Sequence, residues 1–129
     1  MKPKWRVLFC DGKEHACPVT DFINSRPEKH QVKLLRLLGL LEEHGPTLPR
    51  PYADVLHDGV HELRFTLSQD RIRVLYFFCY QKFIVLYEVF FKNTRRVPEK
   101  YIDQVIAYRD EFLSRVSEKK LEKISRALF

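Results

Sequence analysis

Five charged side chains, Glu62, Arg64, Arg73, Glu88 and Lys92, punctuate one apolar stretch, residues 60–92. Their types suit work on an anion. An arginine presents a planar fork of donors that matches two phosphate oxygens at once. Lys92 adds a point charge, and beside two arginines its ammonium is pushed towards losing a proton. Glu62 and Glu88 are carboxylates able to accept one. The same residues can instead form a solvated cross-strand ion-pair cluster, worth ~0.2–1 kcal/mol per pair.

What brings them together is strand parity. The stretch reads VHELRFTLSQDRIRVLYFFCYQKFIVLYEVFFK. Three runs rich in Val, Ile, Leu, Phe and Tyr are divided by Gln69-Asp70 and Tyr80-Gln81, the pattern of an antiparallel meander. Alternate side chains of a strand point to opposite faces. A two-residue turn at Gln69-Asp70 pairs Leu67 with Ile72, Phe65 with Val74 and Leu63 with Tyr76. A turn at Tyr80-Gln81 pairs Val74 with Tyr87 and Tyr76 with Val85. The opposite face then gathers Glu62, Arg64, Arg73, Glu88 and Lys92, with Arg73 across from Glu88. Tyr76 and His61 fall on the core face.

The remaining elements must support that ribbon. WRVLFC, residues 5–10, reads as a strand of the same sheet, ended by a turn at Asp11-Gly12. PVTDFINS, residues 18–25, reads as a short helix with an early proline. Residues 28–44 carry apolar side chains at helical spacing, Val32, Leu35, Leu38 and Leu41, widened by Leu34, Leu37 and Leu40. Gly39 in that helix is read as a point of close packing on the sheet. Gly45-Pro46 ends it. Residues 47–59, with two prolines, read as a loop. Pro98 opens a further helix whose apolar side holds Ile102, Val105, Ile106, Tyr108 and Phe112. The tail from Ser117 on carries Leu121, Ile124 and Leu128 amid lysines, and reads as helical. The result is an α+β domain, a mainly antiparallel sheet in the order β-α-α-β-β-β-α with helices packed on it. Residues 1–116 form the domain and 117–129 a basic helical tail.

The chain has 129 residues, 45% of them hydrophobic, with ten Phe and six Tyr, enough for one packed core. Its formal charge of +6 favours an anionic partner, nucleic acid first and an acidic protein second. The three cysteines, Cys10, Cys17 and Cys79, match no zinc or redox motif, and read as reduced thiols of a cytoplasmic protein. The five histidines lack ligand spacing, so neither metal nor cofactor is expected. No run reaches the ~20 apolar residues of a membrane helix.

Leu-Pro-Arg-Pro at 48–51, LHDGVHELR at 56–64, Arg-Val-Leu-Tyr at 73–76, and Phe-Phe-Lys-Asn-Thr at 90–94 followed by Pro98 resemble the phage-associated HigB-like toxins of the RelE superfamily. The likeness covers roughly residues 4–113. It implies a RelE-like fold and the toxin of a type II toxin–antitoxin system. The implied activity is metal-independent endoribonuclease cleavage of mRNA on the translating ribosome. The implied partner is a HigA-like helix-turn-helix antitoxin, bound in a hetero-oligomer.

By the same likeness Arg64, Arg73 and Lys92 serve the scissile phosphate; Glu62 and Glu88, the carboxylates that parity places on the same face, offer a base. Arg95, Arg96 and Lys100 would track the RNA backbone. Where relatives usually carry two consecutive lysines, this chain has Lys92-Asn93, and Arg95 and Arg96 supply nearby charge. Other proteins of the superfamily inhibit DNA gyrase without cutting RNA. A non-nuclease binding protein, either such an inhibitor or an interaction module, is the alternative.

Overall fold

A computed structural model describes residues 5–10, 17–93 and 95–128. Five strands, β1 (Arg6–Phe9), β2 (Ala53–Val55), β3 (His61–Leu67), β4 (Asp70–Cys79) and β5 (Phe83–Phe91), form one sheet in the order β1-β5-β4-β3-β2. β1 runs parallel to β5, and every other pair is antiparallel. Four helices accompany it: α1 (Pro18–Asn24), α2 (Glu28–His44), α3 (Glu99–Arg115) and α4 (Glu118–Leu128). The α+β class and the mainly antiparallel sheet agree with the sequence reading.

The helices divide between two faces, and neighbouring residues of β5 show the division. Phe91 meets Phe22 of α1, whereas Phe90 stacks on Tyr101 of α3 at 4.5 Å between ring centres. Phe77 of β4 likewise meets Tyr108 and Phe112 of α3. On the α1–α2 face Leu63, Leu67, Ile72, Val74 and Tyr76 are buried with Leu34, Leu37, Leu38 and Leu41 of α2. α2 also clamps β1, because Glu42 accepts from the Val7 amide at 2.8 Å. The buried stripe of α2 therefore differs from the expected one. Val32 and Leu35 face outward, Leu35 being 57% exposed. Gly39 is not a packing contact either, since a Cβ there would meet open space.

The register of the meander is corrected in two places. The first turn is Ser68-Gln69, not Gln69-Asp70, so Leu67 pairs with Asp70 and Arg64 with Arg73. Ser68 adopts a left-handed backbone, φ 57°, and its hydroxyl meets His30 of α2 at 3.2 Å. That tertiary contact accompanies the turn where local propensity points one residue later. The shift is by two, so both faces keep their residues.

The second connection spans residues 80–82, with Tyr80 and Gln81 both at φ 56°. The extra residue turns β5 over near the turn, pairing Tyr76 with Leu86. A bulge then leaves Tyr87 unpaired and restores the expected faces beyond it. Arg73 consequently faces Phe90, and Glu88 faces Leu75.

Three further differences matter. The segment read as a loop contains β2, which pairs Asp54 with Glu62. Cys10 and Cys17 are joined in a disulfide rather than reduced, because the end of β1 and the start of α1 bring their Cα atoms to 5.6 Å. Cys79 is a free, buried thiol, and burial pushes its pKa up to about 11. The tail is helical, with Leu121 buried and Lys82 paired to Glu118 and Glu122. The turn at 11–12, Thr94 and the side chains of Ile124 and Leu128 lie outside the described residues.

Candidate functional site

Arg64 on β3 and Arg73 on β4 stand directly opposite each other on the α3 face of the sheet. Like charges so placed repel, and two carboxylates offset the repulsion. Glu62 lies two residues before Arg64, hence on the same face. Its Oε1 accepts from Arg64 Nε at 2.7 Å, and its Oε2 lies 3.7 Å from Arg73 Nε. The second distance is too long for a hydrogen bond, and both of those atoms are buried without one among the described residues. Asp54 of β2 adds an acceptor for Arg64 Nη2 at 3.1 Å and binds Arg50 at 2.7 Å.

Burial separates the roles of these groups. Glu62 is 1% exposed and committed to two arginines, so it positions them. The Arg73 side chain is 10% exposed, braced through Nη1 by the Ile72 carbonyl at 3.0 Å. The Arg64 side chain, at 28%, reaches further towards solvent. Burial would raise the pKa of Asp54, but the Val55 amide and the Arg50 and Arg64 guanidiniums outweigh it and hold the carboxyl below its ordinary value.

Lys92 follows β5, and its amide donates to the Arg71 carbonyl at 2.9 Å. Burial, then the positive charge of Arg73, lowers its pKa; Arg64 and Arg71 act the same way and Glu62 opposes them. An ammonium so placed gives up a proton more readily than a free lysine.

Two clefts meet at Lys92. One, of about 350 Å³, is lined by Asp54, Glu62, Arg64, Arg95, Arg96 and His57 among others. The other, of about 370 Å³, is bounded by Arg71, Lys92, Asn93 and Arg95. Of the residues expected from the sequence, Glu62, Arg64, Lys92, Arg95 and Arg96 line these clefts, whereas Arg73 lines neither and joins the cluster through Glu62 and its place opposite Arg64. Glu88 and Lys100 line neither cleft. Glu88 is buried opposite Leu75 with its pKa raised by burial, and Lys100 lies over the Tyr101 ring at 5.0 Å. Tyr76 is buried on the other face, its hydroxyl pushed well above its usual pKa by burial and by the Glu62 charge.

Sequence reasoning missed Asp54, Arg50, Arg71 and His57. The first two escaped because β2 was read as loop, although Ala-Asp-Val carries the alternation of a short strand. His57 reaches Asp58 through Nδ1 at 2.6 Å and Glu99 through Nε2 at 2.8 Å, donating to both carboxylates when protonated, which ties the β2–β3 connection to the start of α3. Among the described residues no group of three or more His, Cys, Asp or Glu is arranged to hold a metal ion. No described helix is long and apolar enough to cross a membrane.

A protein-family model described as phage derived protein Gp49-like (DUF891) matches residues 21–109. That span runs from α1 into α3 and contains every residue of the cluster. No curated protein matches the chain.

Proposed function

Since this chain belongs to the phage-derived Gp49-like protein family, we propose that it is the toxin of a toxin–antitoxin pair and a metal-independent endoribonuclease that cuts mRNA on the ribosome. The family is of the RelE/HigB toxin type. The observation that carries the nuclease reading is the opposed pair Arg64 and Arg73, held by Glu62 and flanked by Lys92.

In this reading the 2′-oxygen of a ribose attacks the adjacent phosphorus and its proton passes to a base. The two guanidiniums neutralise the charge on the non-bridging oxygens. The P–O5′ bond breaks, the 5′-oxygen takes a proton, and a 2′,3′-cyclic phosphate remains. Lys92, with its lowered pKa, is the group suited to exchange those protons. Glu62 acts through the arginines, and Arg95 and Arg96 steer the flanking backbone. The partner is a HigA-like helix-turn-helix antitoxin, and the setting is the cytoplasm.

The test is pulse expression followed by primer extension on cellular mRNA. The wild-type protein should create new 5′ ends. Arg64→Ala and Arg73→Ala should reduce them roughly 100-fold, the scale of removing one oxyanion donor. Undiminished cleavage in both variants overturns the site. Intact mRNA accompanied by DNA breaks would favour a gyrase-binding protein instead.

A further inference from the structure

A third cavity shares Arg64 with one Lys92 cleft and Arg71 with the other. It exists because β2 stops at Ala53, where Tyr52 accepts from the Arg64 amide at 2.7 Å, while β3 continues to Leu67. The last residues of β3 therefore have no strand outside them, and α2 runs alongside instead. The space between is a groove of about 580 Å³.

Its walls have two characters. Leu37 and Leu40 of α2, Pro51, Tyr52 and Phe65 make an apolar floor. Tyr52 is 43% exposed, a large ring open to solvent. The rims are cationic: Lys33 and Arg36 on the helix side, and Arg64, Arg71 and Arg73 on the sheet side. Lys33 also closes the strand edge by donating to the Thr66 carbonyl. No lining residue is acidic. An apolar floor between basic rims is complementary to a nucleotide, whose base is flat and apolar-faced and whose two phosphates are anionic.

We propose that this groove holds the nucleobase next to the scissile phosphate, stacked on Tyr52, so that the RNA strand passes from the groove over Arg64 and Arg73 into the Lys92 cleft. The assignment rests on the phosphate-site reading above, because Arg64 and Arg73 are shared by both. Stacking on an aromatic face is tolerant of base identity, since every base has one. The groove thus adds grip and register.

The experiment measures binding of two labelled probes to the full chain by fluorescence anisotropy. One is a mixed-sequence hexanucleotide fully 2′-O-methylated, hence uncleavable. The other is an abasic hexamer with the same phosphates. Wild-type protein should bind the base-bearing probe about tenfold more tightly. Tyr52→Ala should abolish that preference and Tyr52→Phe should keep it, while the abasic probe is unmoved by either. Circular dichroism confirms that both variants fold.

Equal affinity of wild type for the two probes overturns the base subsite and leaves the phosphate reading standing. Conversely, unaltered binding of both probes by Arg64→Ala undermines the phosphate reading itself. A groove built for an acidic protein segment would show no base preference. It would bind a Glu- and Leu-rich peptide in a Tyr52-dependent manner, which also overturns the proposal.

Discussion

Arg64 and Arg73 carry the same charge but differ in what their removal exposes. Arg73 is the more buried, and its loss strips a partner from the buried Glu62. Breaking a buried pair this way costs about 3–5 kcal/mol when no other partner remains; here Arg64 still holds Glu62. Thermal melts should therefore show Arg73→Ala less stable than Arg64→Ala, though by less than that full penalty.

His57 makes a pH-dependent contribution of the opposite sense to a carboxylate. Its hydrogen bonds to Asp58 and Glu99 raise its pKa above the ordinary ~6.5. A raised folded-state value means the stabilisation is complete below the unfolded pKa and is lost as pH rises through the folded one. The melting-temperature gap between wild type and His57→Gln should be widest near pH 6 and shrink as the pH is raised to 9. A gap that grows with pH would contradict the tether. Parity alone made the Glu62, Arg64 and Arg73 face legible in the sequence. The direct opposition of the two arginines was not, because it depends on Ser68, a turn residue held by a helix far away in the chain.

At the level of elements, α2 shows how a helical pattern is read correctly in type but with too wide a face: Leu34, Leu37, Leu38 and Leu41 are buried, while Val32, Leu35 and Leu40 are exposed. Its leucines are so dense that several faces fit, and only the sheet decides between them. Gly39 faces open space, so Gly39→Ala should stabilise the protein by about 1 kcal/mol, the helix-propensity difference. Gly45→Ala should do the reverse. Gly45 has φ 54°, and an added Cβ would collide with the Trp5 indole. Chemical denaturation of the two variants checks both signs. β2 escaped the sequence reading for a different reason. It has three residues, and its flanking prolines outweigh so short an alternation. The bulge at Tyr87 was likewise invisible, since nothing local marks it. It nevertheless keeps Glu88 and Lys92 on the expected side of β5.

For the whole molecule, charge is the property that extends beyond any one element. The formal net charge is +6, and Arg64, Lys92, Arg95 and Arg96 line one cleft with Arg73 paired opposite Arg64. With roughly five phosphates neutralised, log Kd for uncleavable RNA should rise with log salt at a slope of about 3.5. Replacing Arg95 by Gln should lower that slope by ~0.7 without changing the preference for bases over abasic sugar. A slope near zero would mean that the basic patch does not face the backbone.

The parallel pairing of β1 with β5 has a temporal side. Phe9 lies beside Leu86, so the sheet's first strand waits for its last before it gains a neighbour. During synthesis the nascent chain holds both arginines early, yet Lys92 and the strand that seats it emerge from the exit tunnel afterwards. The sheet, and the cluster of cations that it seats, is therefore complete only once Lys92 has been made.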